Sequence, residues 1–462
     1  LPGGIAVGIR SVLSVPETPP EVVRAPIMNS GIRSKLSVMM FLEYVIWGAW
    51  LPLLGDYMTN FLGYDGIQRA WVFNAFAIAS LTGMFFGGQL ADRYMAQEKF
   101  LAISHFLGGL AMFALAFQTQ YWPFFLLMLV HCFFYVPTLS VTNAIAFANL
   151  KDPQKEFGYV RVWGTIGWIA AAWPLIFIPI DWAKVPSMNE TGGVIQWLGA
   201  ALGTLKEGDA LKSAMSGTFI VSGIASMILA AFCLTLPHTP PGKKEGSAFA
   251  PLEALKLLSV PAILVLFVVT FLDSLVHYCY FFWTSTFLPA IGLPRNWTAV
   301  AMSVGQIAEI ATMAYLGFFL KRLGWRTTMI LGILGHVVRF GIYAIGSRDT
   351  LWLVILSNIV HGFAYAFFFA TVYIFVDENF PKDVRTSAQS LFNLLILGLG
   401  PFLGNFLWGW LGDLFKEGDT VQWGKLFMVP LIFGLVAAGI LAMFFHPSRE
   451  VKPEEVPVEA DP

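Results

Sequence analysis

Gln306 and Glu309 stand three residues apart in a stretch that otherwise reads Ile, Ala, Met and Tyr. On a helix that spacing shares one face, so an amide and a carboxylate would point into the same space. The amide stays neutral and can hold solute hydroxyls. A carboxyl removed from water keeps its proton more readily, which suits Glu309 to take up and release one. A second set lies in Arg161-Val-Trp163-Gly164-Thr165-Ile-Gly167-Trp168, where Arg161, Thr165 and Trp168 fall on one stripe. The guanidinium brings a fork of donors, the threonine a hydroxyl, and the indole a stacking surface for a flat ring or a sugar. Arg161 is also close enough to the end of its apolar run to snorkel and act only as an anchor.

His361 and Tyr365, four apart, place an imidazole and a phenol on one face, and His277 with Tyr278 adds the same chemistry. Packing is the competing role for such a histidine. Glu43 is the alternative proton carrier, unless a basic partner holds it or it sits at the inner interface. Asn143, Asn358 and Asn393 add amides. Asp273 has two candidate partners, Arg339 and His277, with which it would tie helices together.

These groups matter because of what surrounds them. The chain is 57% hydrophobic, 15% aromatic and only 12% charged, about half the charge of a soluble domain. Apolar stretches of about twenty residues, the length that crosses a bilayer, occur near 37–57, 69–91, 99–118, 122–147, 158–180 and 216–236, then near 259–288, 298–321, 327–346, 350–377, 387–412 and 426–446. The expected fold is therefore an all-α integral membrane protein with twelve transmembrane helices in two six-helix halves, 36–236 and 259–446, joined by a linker at 237–258. Lysines and arginines, among them Arg33, Lys35, Lys99, Lys151, Lys243, Lys244, Arg326, Lys382 and Arg385, fall on one side, which predicts cytoplasmic termini. At bilayer depth ionisable residues are costly, face cavities and serve a transported solute or ion.

A doubled motif supports the two halves. Gly88-Gln-Leu-Ala-Asp92-Arg93 recurs as Gly317-Phe-Phe-Leu-Lys321-Arg322, with a glycine for close helix approach and charge to stop the helix at the interface. Parallel repeats of this kind build major-facilitator transporters. Gly409-Trp-Leu-Gly-Asp413 matches the pattern at an outer helix end, where it reads as coincidence.

Segment 181–215 is the one long loop. Its apolar piece Val194 to Leu205 is too short to span, and reads as an interfacial helix on the outer face, either a partial lid or a tolerated insertion. Residues 1–35 read as a disordered lead, with 1–27 native or from an upstream start, and the proline-rich acidic stretch 447–462 as a solvated tail. Cys132, Cys233 and Cys279 fall in apolar runs without metal-ligand spacing, so neither a disulfide nor a metal is expected. A net charge of −1 gives no reason to expect nucleic acid. No phosphate loop, HExxH or GxSxG pattern occurs. The chain is thus expected to be neither an enzyme nor an ATP-driven pump, and to use a gradient in place of a cofactor.

Several strings together resemble the nucleoside:proton symporter family of the major facilitator superfamily. They are Leu42-Glu-Tyr-Val-Ile-Trp47-Gly48-Ala-Trp50-Leu, Tyr135-Val-Pro137-Thr138-Leu139 with Asn143, the Arg161 segment, Leu236-Pro237-His238-Thr239-Pro240, Gln306-Ile-Ala-Glu309, and Phe375-Val-Asp-Glu378 running on to Arg385-Thr-Ser-Ala-Gln389. The resemblance covers about residues 36–446. It implies proton-coupled nucleoside uptake across a bacterial inner membrane by a multi-pass monomer through alternating access. By position, Arg161, Thr165, Trp168, Gln306 and Glu309 match the family's substrate-site residues. Two departures stand out: His277-Tyr278-Cys279-Tyr280-Phe281 where the family tends to present amides, and Tyr365-Ala366 without the expected acidic residue. They leave open another polar solute such as a sugar, and, in a different class, a membrane receptor or sensor without turnover.

Overall fold

In lipid a backbone must satisfy its own hydrogen bonds, and long apolar runs do so as helices. The computed structural model describes residues 30–83, 95–240, 254–379, 388–389, 391–418 and 420–446. Gly88, Asp92, Arg93, residues 1–29 of the predicted lead, the predicted tail 447–462 and most of the predicted linker lie outside them; residues 30–35, expected to be disordered, instead open the first helix. Helices α1 (Ser30–Asp56), α2 (Gly66–Thr82), α3 (Gln97–Leu115), α4 (Tyr121–Asn149), α5 (Pro153–Ala172), α6 (Val194–Gly203) and α7 (Gly208–Cys233) form the first half. The second half has α8 (Pro261–Ala290), α9 (Thr298–Ala344), α10 (Leu351–Ser357), α11 (Ile359–Tyr365), α12 (Thr371–Asn379), α13 (Gly400–Leu414) and α14 (Trp423–Phe444).

Among the described residues 10 helical stretches are long and apolar enough to cross a membrane. Two places account for the difference from the twelve expected. The described part of α2 has 17 residues. Helix α9 has 47, about 70 Å at 1.5 Å per residue, more than twice a hydrocarbon core; its backbone breaks at Gly324, where φ is 73°. Local signals set the ends. Asp65 accepts from Gln68 N at 2.7 Å while Gln68 Oε1 accepts from Asp65 N at 3.1 Å, a reciprocal cap that starts α2. Wide π turns at Ala366–Ala370 and Leu394–Leu399 interrupt the last helices beside Tyr365 and Pro401; such turns recur at functional sites.

Glycines bring backbones together where the site will be. A Cβ on Gly167 would lie 2.1 Å from Phe41 O, and one on Gly362 would lie 2.2 Å from both Gly305 O and Glu309 N. Helix α5 therefore rides directly on α1, and α11 on α9. The doubled motif fares differently from expectation. Among the described residues nothing lies within 4 Å of a Cβ added to Gly317, so this glycine makes no close approach to any of them; Arg322 is exposed. Gly409, dismissed on sequence, makes one. A Cβ there would lie 2.2 Å from Gly66 O, and Gly66 N donates to Asp413 Oδ2 at 2.9 Å.

Those last contacts belong to a set joining the two halves at the end where α1 finishes. Arg295 Nε donates to Asp56 Oδ2 at 3.0 Å and Ser285 Oγ accepts from Asp56 N at 3.1 Å. About 12 Å along α2 from Gly66, at 1.5 Å per residue, Asn405 Nδ2 donates to Asn74 Oδ1 at 2.9 Å, and Asn74 Nδ2 to Phe402 O at 3.1 Å. The predicted loop helix forms as α6, with Ile195 83% exposed and Leu202 O accepting from Asn296 Nδ2 at 3.0 Å. The loop of the first half thus touches the second.

Candidate functional site

A cavity lies between the halves, and Asn405 of the joining layer forms part of its wall. The first half contributes Arg161, Thr165 and Trp168 from α5, with Tyr44, Trp47 and Trp50 from α1. The second contributes Gln306 and Glu309 from α9, His277, Tyr278 and Phe281 from α8, and His361 and Tyr365 from α11. Eight of the nine residues expected to bind substrate therefore meet, and the pairs read from helical spacing do share faces. Asn143 is the exception. It is absent from the lining, and its Oδ1 is buried elsewhere in α4.

Arg161 is held in the wall rather than stretched to an interface. Its Nη2 donates to Tyr44 Oη at 2.8 Å, and its guanidinium lies 4.3 Å from the centre of the same ring. Tyr44 went unnoticed on sequence, although Tyr44, Trp47 and Trp50 already form a stripe at spacing three. Gln306 is 7% exposed and its Oε1 has no hydrogen-bond partner among the described residues. A bound solute hydroxyl can donate to it.

Glu43 does not reach the cavity. Its Oε2 lies 2.9 Å from His105 Nε2, its Oε1 accepts from Thr138 Oγ1 at 2.6 Å, and its backbone oxygen accepts from Tyr135 Oη at 2.8 Å. All four residues are at most 1% exposed. This is the basic-partner arrangement, and His105 is the residue the sequence did not single out. Asp273 is a correction too. Neither Arg339 nor His277 is its hydrogen-bond partner; His336 Nδ1 donates to Asp273 Oδ1 at 2.8 Å. Asn358 and Asn393 are taken up as acceptors for Tyr343 Oη at 2.8 Å and Tyr373 Oη at 2.6 Å.

His277, His336 and His361 bring ligand nitrogens within 4.8 Å of one another, a spacing that could suggest a metal. Arg339 argues against one. It is fully buried and contacts His361 Nδ1, which sets a fixed cation against the cluster. A divalent ion there would add charge beside charge in a low-dielectric interior.

The nucleoside H+ symporter family matches residues 30–192 and 190–450. YegT of Escherichia coli (strain K12) is 34% identical over 426 residues, 89% of this chain and 92% of that protein. The nucleoside permease NupG of the same organism is 27% identical over 432 residues, 89% of this chain and 96% of that protein. The crystal structure of the nucleoside transporter NupG has a TM-score of 0.75 at 26% identity and covers 90% of this chain and 100% of that one. A crystal structure of a D-xylose-proton symporter, at 14% identity and a TM-score of 0.63 over 90% of this chain and 98% of that one, shares the fold alone. The chain belongs to the nucleoside H+ symporter family.

Proposed function

We propose that this protein is a secondary active transporter that moves nucleosides together with protons by alternating access. The observation that carries this reading is the cavity itself: two chain halves face one space lined by rings and by paired polar groups from both sides. In it the nucleoside stacks on aromatic rings including Trp168. Arg161, Thr165, Gln306, Tyr278 and Tyr365 hold its polar edges, and Glu309 links occupancy to proton movement. The buried Glu43–His105 contact supports a structural role for Glu43 in place of a coupling one. Family membership and the relatives' names support nucleoside as the substrate.

The same reading extends to architecture. Twelve spans in two six-helix halves, with both termini cytoplasmic in a bacterial inner membrane, fit the break at Gly324 and the basic-residue count. The working unit is a monomer, since the cavity lies within one chain. With this orientation Asp56–Arg295, Gly66–Asp413 and Asn74–Asn405 close the outer end, and the conformation faces inward. The deciding experiment is uptake of labelled uridine and adenosine into proteoliposomes, with and without an inward proton gradient and with excess unlabelled sugar. Gradient-dependent uptake that sugar leaves untouched is expected. Displacement by sugar would point to a sugar carrier, and saturable binding without flux to a receptor; either result would overturn the proposal.

A further inference from the structure

Arg339 has no acceptor atom, so its contact with His361 Nδ1 can only be a donation from the guanidinium. That fixes the tautomer. His361 Nδ1 carries the lone pair, and its one N–H is on Nε2, the ring nitrogen remote from Arg339. The ring plane is held as well: His361 stacks on Tyr280 at 4.2 Å and 24°, and on His277 at 5.0 Å and 14°. Helix packing fixes its depth, because a Cβ on Gly305 would lie 3.0 Å from His361 Cδ2. Arg339 is itself anchored, 4.5 Å over the Tyr280 ring and 4.7 Å over that of Phe340. An ordinary histidine at a binding site can swap donor and acceptor by changing tautomer. This one cannot while Arg339 stays in place.

We propose that Arg339 and His361 form a locked donor, which makes this wall of the cavity select a nucleobase bearing a carbonyl oxygen over one bearing an amine at the same edge. The inference rests on the nucleoside reading above and adds the substrate class. Orientation follows from the surroundings. His361 shares the cavity wall with His277, Tyr278 and Phe281, rings that suit a flat base. Gln306 and Glu309, with an unpartnered amide oxygen and a carboxylate, suit ribose hydroxyls. A carbonyl accepts from the Nε2 hydrogen; an exocyclic amine presents hydrogen to hydrogen and leaves a desolvated donor unpaired. Arg339 acts through His361 and is a positioning residue.

The test uses inosine and adenosine, which share ribose and ring shape and differ at the six-position oxygen or amine. Binding of each to the purified full-length protein is measured by competition against labelled uridine. The wild-type protein is expected to prefer inosine on the order of tenfold, the value of one hydrogen bond to a buried group. His361→Phe keeps a ring without the donor and should bring the ratio close to one. Arg339→Met frees the tautomer and should also reduce the ratio, while Arg339→Lys, still a donor, should retain more of it. A merely structural role would lower both affinities together and leave the ratio alone. Equal or tighter adenosine binding by the wild type, or an unchanged ratio in folded His361→Phe, overturns the inference and spares the nucleoside reading. Binding of neither nucleoside nor uridine to folded wild-type protein overturns both.

Discussion

Gly362→Ala tests how the site is positioned. The added Cβ would meet Gly305 O and Glu309 N, each at 2.2 Å, where ordinary contact begins at 3.4 Å. Both atoms are backbone, so no side chain can swing aside, and α11 must part from α9 by about 1 Å. Overpacking of this kind costs ~1–3 kcal/mol. The displacement falls on the face that carries Gln306 and Glu309 opposite His361, so binding suffers as well as stability. With ~1.4 kcal/mol per tenfold in affinity, a weakening of about fivefold to a hundredfold is expected. The comparison is Gly317→Ala, where the new methyl meets no described residue within 4 Å and helix propensity favours the change by up to ~1 kcal/mol. Thermal unfolding in detergent and uridine binding would be measured on both. Gly362→Ala should melt lower and bind worse, and Gly317→Ala should melt at or above the wild type. Wild-type melting and affinity for Gly362→Ala would refute the close-contact argument, as would an equal loss in Gly317→Ala.

Three further outcomes are expected. Glu309→Gln should abolish gradient-driven accumulation while sparing nucleoside exchange; accumulation that persists would remove Glu309 from coupling. Glu43→Ala leaves the buried His105 Nε2 and Thr138 Oγ1 without their partner and should cost ~1–3 kcal/mol for each, read as a fall in melting temperature, whereas Glu43→Gln keeps an oxygen for Thr138 and should retain accumulation per folded molecule. Tyr44→Phe removes the acceptor that Arg161 reaches at 2.8 Å but keeps the ring beneath it. A hydrogen bond to a charged group contributes ~1.5–3 kcal/mol to stability, so the variant should melt lower, and with the guanidinium freed uridine affinity should fall about tenfold; an unaltered affinity would show that Tyr44 does not position Arg161.

Much of the site is legible along the chain because helical spacing is local. Arg161, Thr165 and Trp168, Gln306 and Glu309, and His361 and Tyr365 each share a helix, and the 3.6-residue period alone turns each set one way. Lipid removes the other choices: a long apolar run can only be a helix, and an ionisable residue inside it has few roles. Family strings then add that the sets face one another, which periodicity does not say. What remained hidden is contact between helices distant in sequence. Asp273 has three histidines and an arginine within reach of its half of the bundle, and only the crossing of α8 and α9 selects His336. Glu43 finds His105 on α3 in the same way. Gly66 and Asp413 are 347 residues apart, so no local signal separates their contact from the pattern at Gly317, which makes no close approach among the described residues. Spacing along a helix is set by covalent geometry and can be read from the chain. Partnership across helices is set by which faces pack, a choice made by the summed contacts of the whole bundle, and only the tertiary structure records it.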